Sequence, residues 1–330
     1  MQLFPVSSSI LSSVHLTSFL QEQFNFSNKA TCGLIKAGVN HNYLVQHNTN
    51  KYIYRVYCYN WRTEKEILAE ISLLNHLQNS GIDIAYPIAD KAGNFIQVFN
   101  APEGKRFGVL FSYAEGEKQF TYTTETHFAI GAKMAQIHTK TTDLYLDRPA
   151  YNAETLLVES MHILKDFIAL ETEEMKCMQT MQHHLLKEYE CVDISQIRKG
   201  VVHLDIWFDN LHIAPNNKIT IYDFDLCGNG WICLDIAYYM MQLYTLEPDE
   251  TIYKTKMDAF IEGYESATKI SDEEKRILPM LGVSLYFYYL GLQCQRFEDY
   301  SSMFINETYL KRYIVFRVKK YFDYHQLGLA

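Results

Sequence analysis

The chain is short of positive charge: 30 basic residues stand against 39 acidic ones, a formal net charge of −9 over 330 residues. Nonspecific nucleic-acid binding rests on neutralising phosphates with clustered cations, so this balance argues against it. A cysteine framework is missing too. The seven cysteines are odd in number, scattered, and form no C-x-x-C pair, which suggests neither a disulfide scaffold nor a zinc site and points to reduced thiols in the cytoplasm. The N-terminal MQLFPVSSSILSSVHLTSFLQEQF lacks the basic start and long apolar core of a secretory signal. One uncharged run, residues 277–292, contains Pro279 and falls short of the ~20 apolar residues a spanning helix needs. It reads as a buried core helix, and no membrane partner is expected. Internal repeats, low-complexity tracts and long linkers are also absent.

What is present is an ordinary globular composition, 48% apolar and 21% charged, in a chain long enough for two lobes. Its chemistry concentrates in residues 201–235, VVHLDIWFDNLHIAPNNKITIYDFDLCGNGWICLD, where His203, Asp205, Asn210, Asp223 and Asp235 surround two short apolar runs. The runs LHIA and KITIY flank Asn216 and Asn217, a pair that tolerates positive φ, and so predict a β-hairpin. With those two asparagines as the central turn residues, Pro215 faces Lys218 and Asn210 faces Asp223. Residues so opposed have Cβ atoms about 5 Å apart. An amide oxygen and a carboxylate at that spacing suit a hard cation such as Mg²⁺. Asp205 is then left as a separate base, which is the division of labour that phosphoryl transfer needs.

The pattern H-x-D-x-x-x-x-N, from His203 through Asp205 to Asn210, followed by the strand-end D-F-D at Asp223, resembles the aminoglycoside phosphotransferase and choline kinase family. These are small-molecule relatives of protein kinases. The resemblance implies His203 and Asp205 as catalytic-motif residues with Asp205 the base, Asn210 and Asp223 as magnesium ligands, and Asp235, in D-I-A, as a brace for the catalytic loop. Two departures stand out: Leu204 replaces the family's usual glycine, and Trp207 stands where protein kinases carry a lysine. LCGNGW is expected to form a short loop before a helix starting near Ile232.

Upstream, residues 31–59 alternate as three strands, TCGLIKA, NYLVQH and KYIYRVYCY. Their first join, residues 37–43, resembles the family's nucleotide loop, with Gly38 and Asn40 near the phosphates. Arg55 projects from the third strand. The following segment opens on the capping box Thr63-x-x-Glu66, runs through Ile67, Leu68, Ile71, Leu74 and Leu77 at helical spacing, and stops at Gly81. Glu70 borders its apolar face, where an unpaired carboxylate is costly, and Arg55 is the nearest partner. By the resemblance this pair stands where kinases hold phosphates with a strand lysine and a helix glutamate. NFIQVF and FGVLFSY add two strands, and residues 111–114, including Phe111 and Tyr113, would form the adenine-binding hinge.

The expected fold is α+β, protein-kinase-like, with a five-stranded antiparallel sheet and one helix in residues 1–113 and a mainly helical lobe in residues 114–330. Spacing within the small lobe also resembles the homoserine kinase-like and stress-response kinase branch. The resemblance implies ATP and Mg²⁺ as cofactors and a small-molecule hydroxyl acceptor, for which the acidic balance permits a cation. A protein serine/threonine kinase of the stress-response type and a nucleotide-binding scaffold without turnover are the alternatives.

Overall fold

Alternating apolar residues in the N-terminal third pair into an antiparallel sheet. The computed structural model describes residues 4–215, 217–297 and 305–328. After α1 (Ser13–Gln23) come β1 (Thr31–Ala37), β2 (Asn40–His47) and β3 (Asn50–Tyr57), then α2 (Glu64–Asn79), β4 (Pro87–Ile88), β5 (Ile96–Ala101) and β6 (Gly104–Ser112). The sheet order is β1-β2-β3-β6-β4, with β5 also on β6. The five expected strands are all present, and the two-residue β4 adds a sixth. Tyr43 and Val45 of β2, Tyr54 and Val56 of β3 and Leu110 of β6 pack against Leu16 and Leu20 of α1. Each fully buried leucine contributes roughly 1.5–3 kcal/mol.

The α2 capping box is complete, with Thr63 and Glu66 exchanging backbone and side-chain hydrogen bonds. Its buried face comprises Ile67, Ala69, Glu70, Ile71, Leu73, Leu74 and Leu77. Leu68, which the periodicity places on that face, is exposed. The helix ends at Gly81, whose φ of +78° is the left-handed conformation that glycine adopts at helix ends.

The chain divides into two compact units: described residues up to Glu115 with Thr220–Tyr222, and the remainder. In the second, α3 (Thr124–Thr141), β7 (Ala150–Tyr151), α4 (Ser160–Leu164), α5 (Glu173–Glu190) and β8 (Lys199–Val202) precede β9 (Leu211–Ile213). After β10 (Ile219–Ile221) come β11 (Gly228–Trp231), α6 (Cys233–Leu246), α7 (Glu250–Glu265), α8 (Asp272–Gln295), α9 (Glu307–Tyr313) and α10 (Lys320–Tyr324). β11 corrects the expectation of a short loop at LCGNGW: it lies antiparallel to β8 and parallel to β7. α8 is long and apolar enough to cross a membrane, yet 72% of its most apolar window is buried in the protein, as expected of a core helix.

The hairpin expectation also needs correction. Asn216 lies outside the described residues, but Ala214 N–H donates to the Lys218 carbonyl and Asn217 N–H to the Ala214 carbonyl. Ala214 therefore faces Lys218 across a three-residue loop, with Asn217 left-handed at φ 60°. This register is one residue away from the one that set Asn210 opposite Asp223.

α3 and α7 approach closely because each carries a glycine at the contact. A Cβ on Gly131 would run into the Phe260 carbonyl, and one on Gly263 into the Phe128 carbonyl. Backbone cannot yield as a flexible side chain does, so Gly263→Ala is expected to cost about 1–3 kcal/mol, read as a lower urea midpoint.

One buried histidine, His127, and one half-buried, His325, give stability a pH dependence. His325 packs on the rings of Tyr321 and Tyr324, and burial lowers its pKa from 6.5 to about 4. Burial first, and then the Lys256 charge, lowers His127 to about 4 as well. The folded chain binds these protons more weakly than the unfolded one. Their contribution is therefore present above pH 6.5 and lost as pH falls toward 4, roughly 3 kcal/mol for each. Urea unfolding between pH 7.5 and 4.5 should show this fall, and His325→Phe should remove about half of the histidine-linked slope.

Candidate active site

The catalytic segment is shaped by one buried carboxylate. β8 ends at Val202, α6 begins at Cys233, and Asp235 in the first turn of α6 is 1% exposed. Its Oδ2 accepts the His203 N–H at 2.8 Å and its Oδ1 the Leu204 N–H at 2.6 Å. His138 Nε2 of α3 lies 3.0 Å from Oδ2, with His138 Nδ1 2.7 Å from the Tyr264 hydroxyl. Burial alone would raise the Asp235 pKa, but the bonds and charges of His138 and His203 hold it below the usual carboxylate value. The brace implied by the family resemblance is thus visible as two backbone hydrogen bonds.

Those bonds bend the chain at Leu204, whose φ is +61°. Glycine adopts this conformation without strain, whereas another residue there costs on the order of 1 kcal/mol. That explains the family's glycine. Leu204 offsets the strain by complete burial, and the Tyr289 hydroxyl donates to its carbonyl.

Beyond the bend, Asp205 gathers three partners. The His203 Nδ1 accepts the Asp205 N–H at 3.1 Å, so the histidine ring, tilted against Phe224 with centroids 4.3 Å apart, props the Asp205 backbone. The Asn210 amide donates to the Asp205 carbonyl at 3.0 Å and to its carboxylate at 2.6 Å. The Tyr238 hydroxyl donates to the other carboxylate oxygen at 2.5 Å, while accepting from Gln242 at 2.9 Å. Burial pushes the Asp205 pKa up to about 7. The Tyr238 bond opposes this, the Asp223 charge adds to it, the Asn210 bond opposes it and the Asp209 charge adds to it. Lys118 pairs with Asp209.

Asn210 and Asp223 both attend Asp205, one by hydrogen bond and one by charge. With its amide nitrogen committed to Asp205, Asn210 presents its oxygen elsewhere, and with the Asp223 carboxylate it offers hard oxygen donors. Among the described residues no group of three or more His, Cys, Asp and Glu could hold a metal. Magnesium does not require one, since it takes one or two carboxylates and completes its shell with phosphate and water. The donor chemistry therefore fits Mg²⁺.

In the first unit, Arg55 and Glu70 meet at 3.1 Å and are 6% and 0% exposed. Glu70 also accepts the Tyr57 hydroxyl at 3.0 Å, and the Arg55 guanidinium lies 5.0 Å from the Phe111 ring centroid. Gly38 N–H donates back to the Asn40 carbonyl, and the Asn40 side chain turns inward to accept Cys58 N–H. These two close the β1–β2 join on itself. Phe111 is buried, and Tyr113 lies under the Lys51 ammonium at 5.4 Å.

Sequence reading missed Tyr238, Gln242 and Tyr289. A signal existed for the first two: Tyr238 follows Asp235 by three residues on α6 and Gln242 follows Tyr238 by four, so all three share a helix face.

This fold and constellation define a kinase-like phosphotransferase. Residues 31–270 match the model of the phosphotransferase enzyme family, and the chain belongs to that family, whose members transfer a phosphoryl group to an alcohol acceptor. The uncharacterized protein sll1119 of Synechocystis sp. is 28% identical over 94% of this chain and 85% of its own length. A homoserine kinase of Rhodopseudomonas palustris is 23% identical over 76% and 74%. The solved amicoumacin kinase hAmiN, in complex with AMP-PNP, Ca²⁺ and Ami, has a TM-score of 0.76 at 19% identity over 94% of both chains, a likeness of fold.

Tyr238→Phe removes one charge-assisted hydrogen bond, worth about 1.5–3 kcal/mol, from the carboxylate oxygen of Asp205. We expect kcat to fall roughly 10–100-fold with the KM for ATP changed less than about twofold and the circular dichroism unaltered. Steady-state kinetics with ATP and any accepted alcohol measures this split.

Proposed function

We propose that the chain is an ATP- and magnesium-dependent cytoplasmic kinase that moves the γ-phosphoryl group to a hydroxyl of a small molecule. The observation that carries this reading is Asp205, a carboxylate pushed up to about 7, with both oxygens fixed by Tyr238 and Asn210. A base with a pKa near neutrality is matched to accepting a proton at physiological pH. As the acceptor oxygen bonds to the γ-phosphorus, its proton passes to Asp205 and the bond to the β–γ bridging oxygen breaks, releasing ADP. Magnesium, held by Asn210 and Asp223, would neutralise the phosphate oxygens. Residues 1–113 are proposed to hold the nucleotide, with Arg55 set for the phosphates by Glu70 and the segment of Phe111 and Tyr113 serving adenine.

The size of the acceptor is supported by the segment after Asp223. Only a 3₁₀ turn separates it from β11, so no long loop of the protein-kinase type is available there to dock a peptide or to switch by phosphorylation. The seven free cysteines, three of them buried, suit a reducing compartment.

The experiment is ADP release from ATP and Mg²⁺ across a panel of hydroxylated amines, amino acids and aminoglycosides. Turnover with at least one of them is expected. Asp205→Asn should lower it about 10²–10⁴-fold, and a chelator should abolish it. Silence across the panel together with radiolabel transferred from ATP to whole-cell protein would replace this reading with a protein kinase.

A further inference from the structure

A cavity of about 70 Å³ opens beside the catalytic loop, wholly within the second unit. Trp207 and Phe208 of the loop and Tyr239 of α6 give it aromatic walls. Among the described residues its lining includes none of Asp205, Asn210, Asp223 and Tyr238, so an occupant does not meet the base and is not the reacting alcohol. Gln242 does line it. The Gln242 amide donates to the Tyr238 hydroxyl at 2.9 Å, and that hydroxyl donates to Asp205 at 2.5 Å. The cavity is therefore separate from the reacting atoms, yet it shares one side chain with the group that holds the base.

The lining specifies a ligand. His127, in the first turn of α3, is 2% exposed; its Nδ1 is engaged at 2.8 Å by the Tyr239 hydroxyl, and its Nε2 has no partner among the described residues. The buried hydroxyl of Tyr122, whose ring meets the His127 ring edge-on at 5.6 Å, has none there either. Leaving buried polar atoms unpaired is costly, and one hydrogen-bonding group on a ligand would relieve that cost, since a hydroxyl can donate or accept. The charged residues of the lining, Glu247 and Lys256, pair with each other at 2.7 Å with side chains 17% and 18% exposed. A charged ligand would have to break a pair that is already complete in a partly desolvated site, so a neutral one is favoured. At roughly 10–15 Å³ for each water-sized occupant, the space takes about five to seven non-hydrogen atoms, which is one small ring. Water suits it less, because a buried water makes about three hydrogen bonds and aromatic walls supply few.

We propose that this cavity is an effector site for a neutral single-ring aromatic or heteroaromatic molecule carrying one hydrogen-bonding group, a phenol being the simplest. The ring packs edge-on or offset against Trp207, Phe208 and Tyr239, and its polar group pairs with the Tyr122 hydroxyl or with His127 Nε2. The same ring lies against Gln242 and draws its amide away from Tyr238. Without that donor the Tyr238 hydroxyl is held less firmly on Asp205, so the occupant lowers turnover without competing for either substrate. Binding stands on the cavity alone, whereas the effect on turnover rests on the kinase reading above.

The test uses four probes of equal size: phenol; toluene, which lacks the hydrogen-bonding group; cyclohexanol, which lacks the aromatic ring; and N-methylpyridinium, which carries a charge. Titration calorimetry on the full chain should show phenol binding at least about fivefold more tightly than each of the others. Tyr122→Phe and His127→Leu, made singly and checked by circular dichroism, should between them include at least one variant that weakens phenol threefold or more. In steady-state kinetics phenol should lower kcat at least threefold at saturation, with the KM values for ATP and for the accepted alcohol changed less than about twofold. Gln242→Met should have a lower kcat of its own, should still bind phenol, and should no longer respond to it. Equal binding of phenol and toluene that neither variant moves, or no binding of any probe, overturns the site. Phenol that raises the KM for the alcohol and spares kcat overturns the effector role and makes the cavity part of the acceptor site. An undiminished response in Gln242→Met overturns the link through that residue. Binding that depends on Tyr122 or His127 in a protein that transfers no phosphoryl group upholds the site and overturns the kinase reading.

Discussion

The burial of Asp235 is the constraint from which the geometry of the catalytic segment follows. A carboxylate at 1% exposure is tolerated only when its lone pairs are filled, and the donors here are the N–H groups of His203 and Leu204, with His138 alongside. Filling them forces two consecutive amides to converge on one point, which bends the backbone into the left-handed region at Leu204. That bend turns Asp205 toward Tyr238 and Asn210. The base is therefore aimed by a residue 30 positions later in the chain, and β11 makes this possible. By lying between β7 and β8 it brings the start of α6 back to the end of β8.

How far the sequence reveals this depends on whether the information is local. The H-x-D-x-x-x-x-N spacing is local, and so is the alternation that produces the sheet and the capping box at Thr63. The hairpin turn is a subtler case. Asparagine tolerates positive φ in two-residue and three-residue loops alike, so Asn216-Asn217 signals a turn without setting its length, and a one-residue slip changes every facing pair. β11 was illegible for another reason. Gly228-Asn229-Gly230 reads as a turn, yet it is a strand because β7, nearly 80 residues upstream, and β8 supply its partners. The meeting of Tyr238 with Asp205 is tertiary in the same sense: the spacing of Asp235, Tyr238 and Gln242 marks one face of α6, but that this face meets the catalytic loop is decided by the fold.

The Arg55–Glu70 pair shows how context decides what a sequence pair means. At the surface such a pair contributes 0–1 kcal/mol. Here both partners are buried, so each is obligatory to the other, and removing one would strand a charge. Arginine suits this position better than the lysine of protein kinases in one respect: its planar guanidinium can lie over Phe111 while one nitrogen engages Glu70. The substitution keeps the charge and adds an orientation.

Charge balance in the catalytic segment differs from residue to residue, and the differences imply different roles. Asp235 is satisfied by N–H donors and held ionised, a structural group. Asp209 is paired with Lys118. Asp205 shares its charge with a phenol and an amide, with the Asp209 and Asp223 charges opposing its ionisation. Two neutral donors stabilise an anion less than a cation does, and burial, the largest cause, pushes the Asp205 pKa up to about 7. Trp207, which stands where protein kinases carry a lysine, adds no charge to this segment and packs its ring on Phe208 at 4.4 Å.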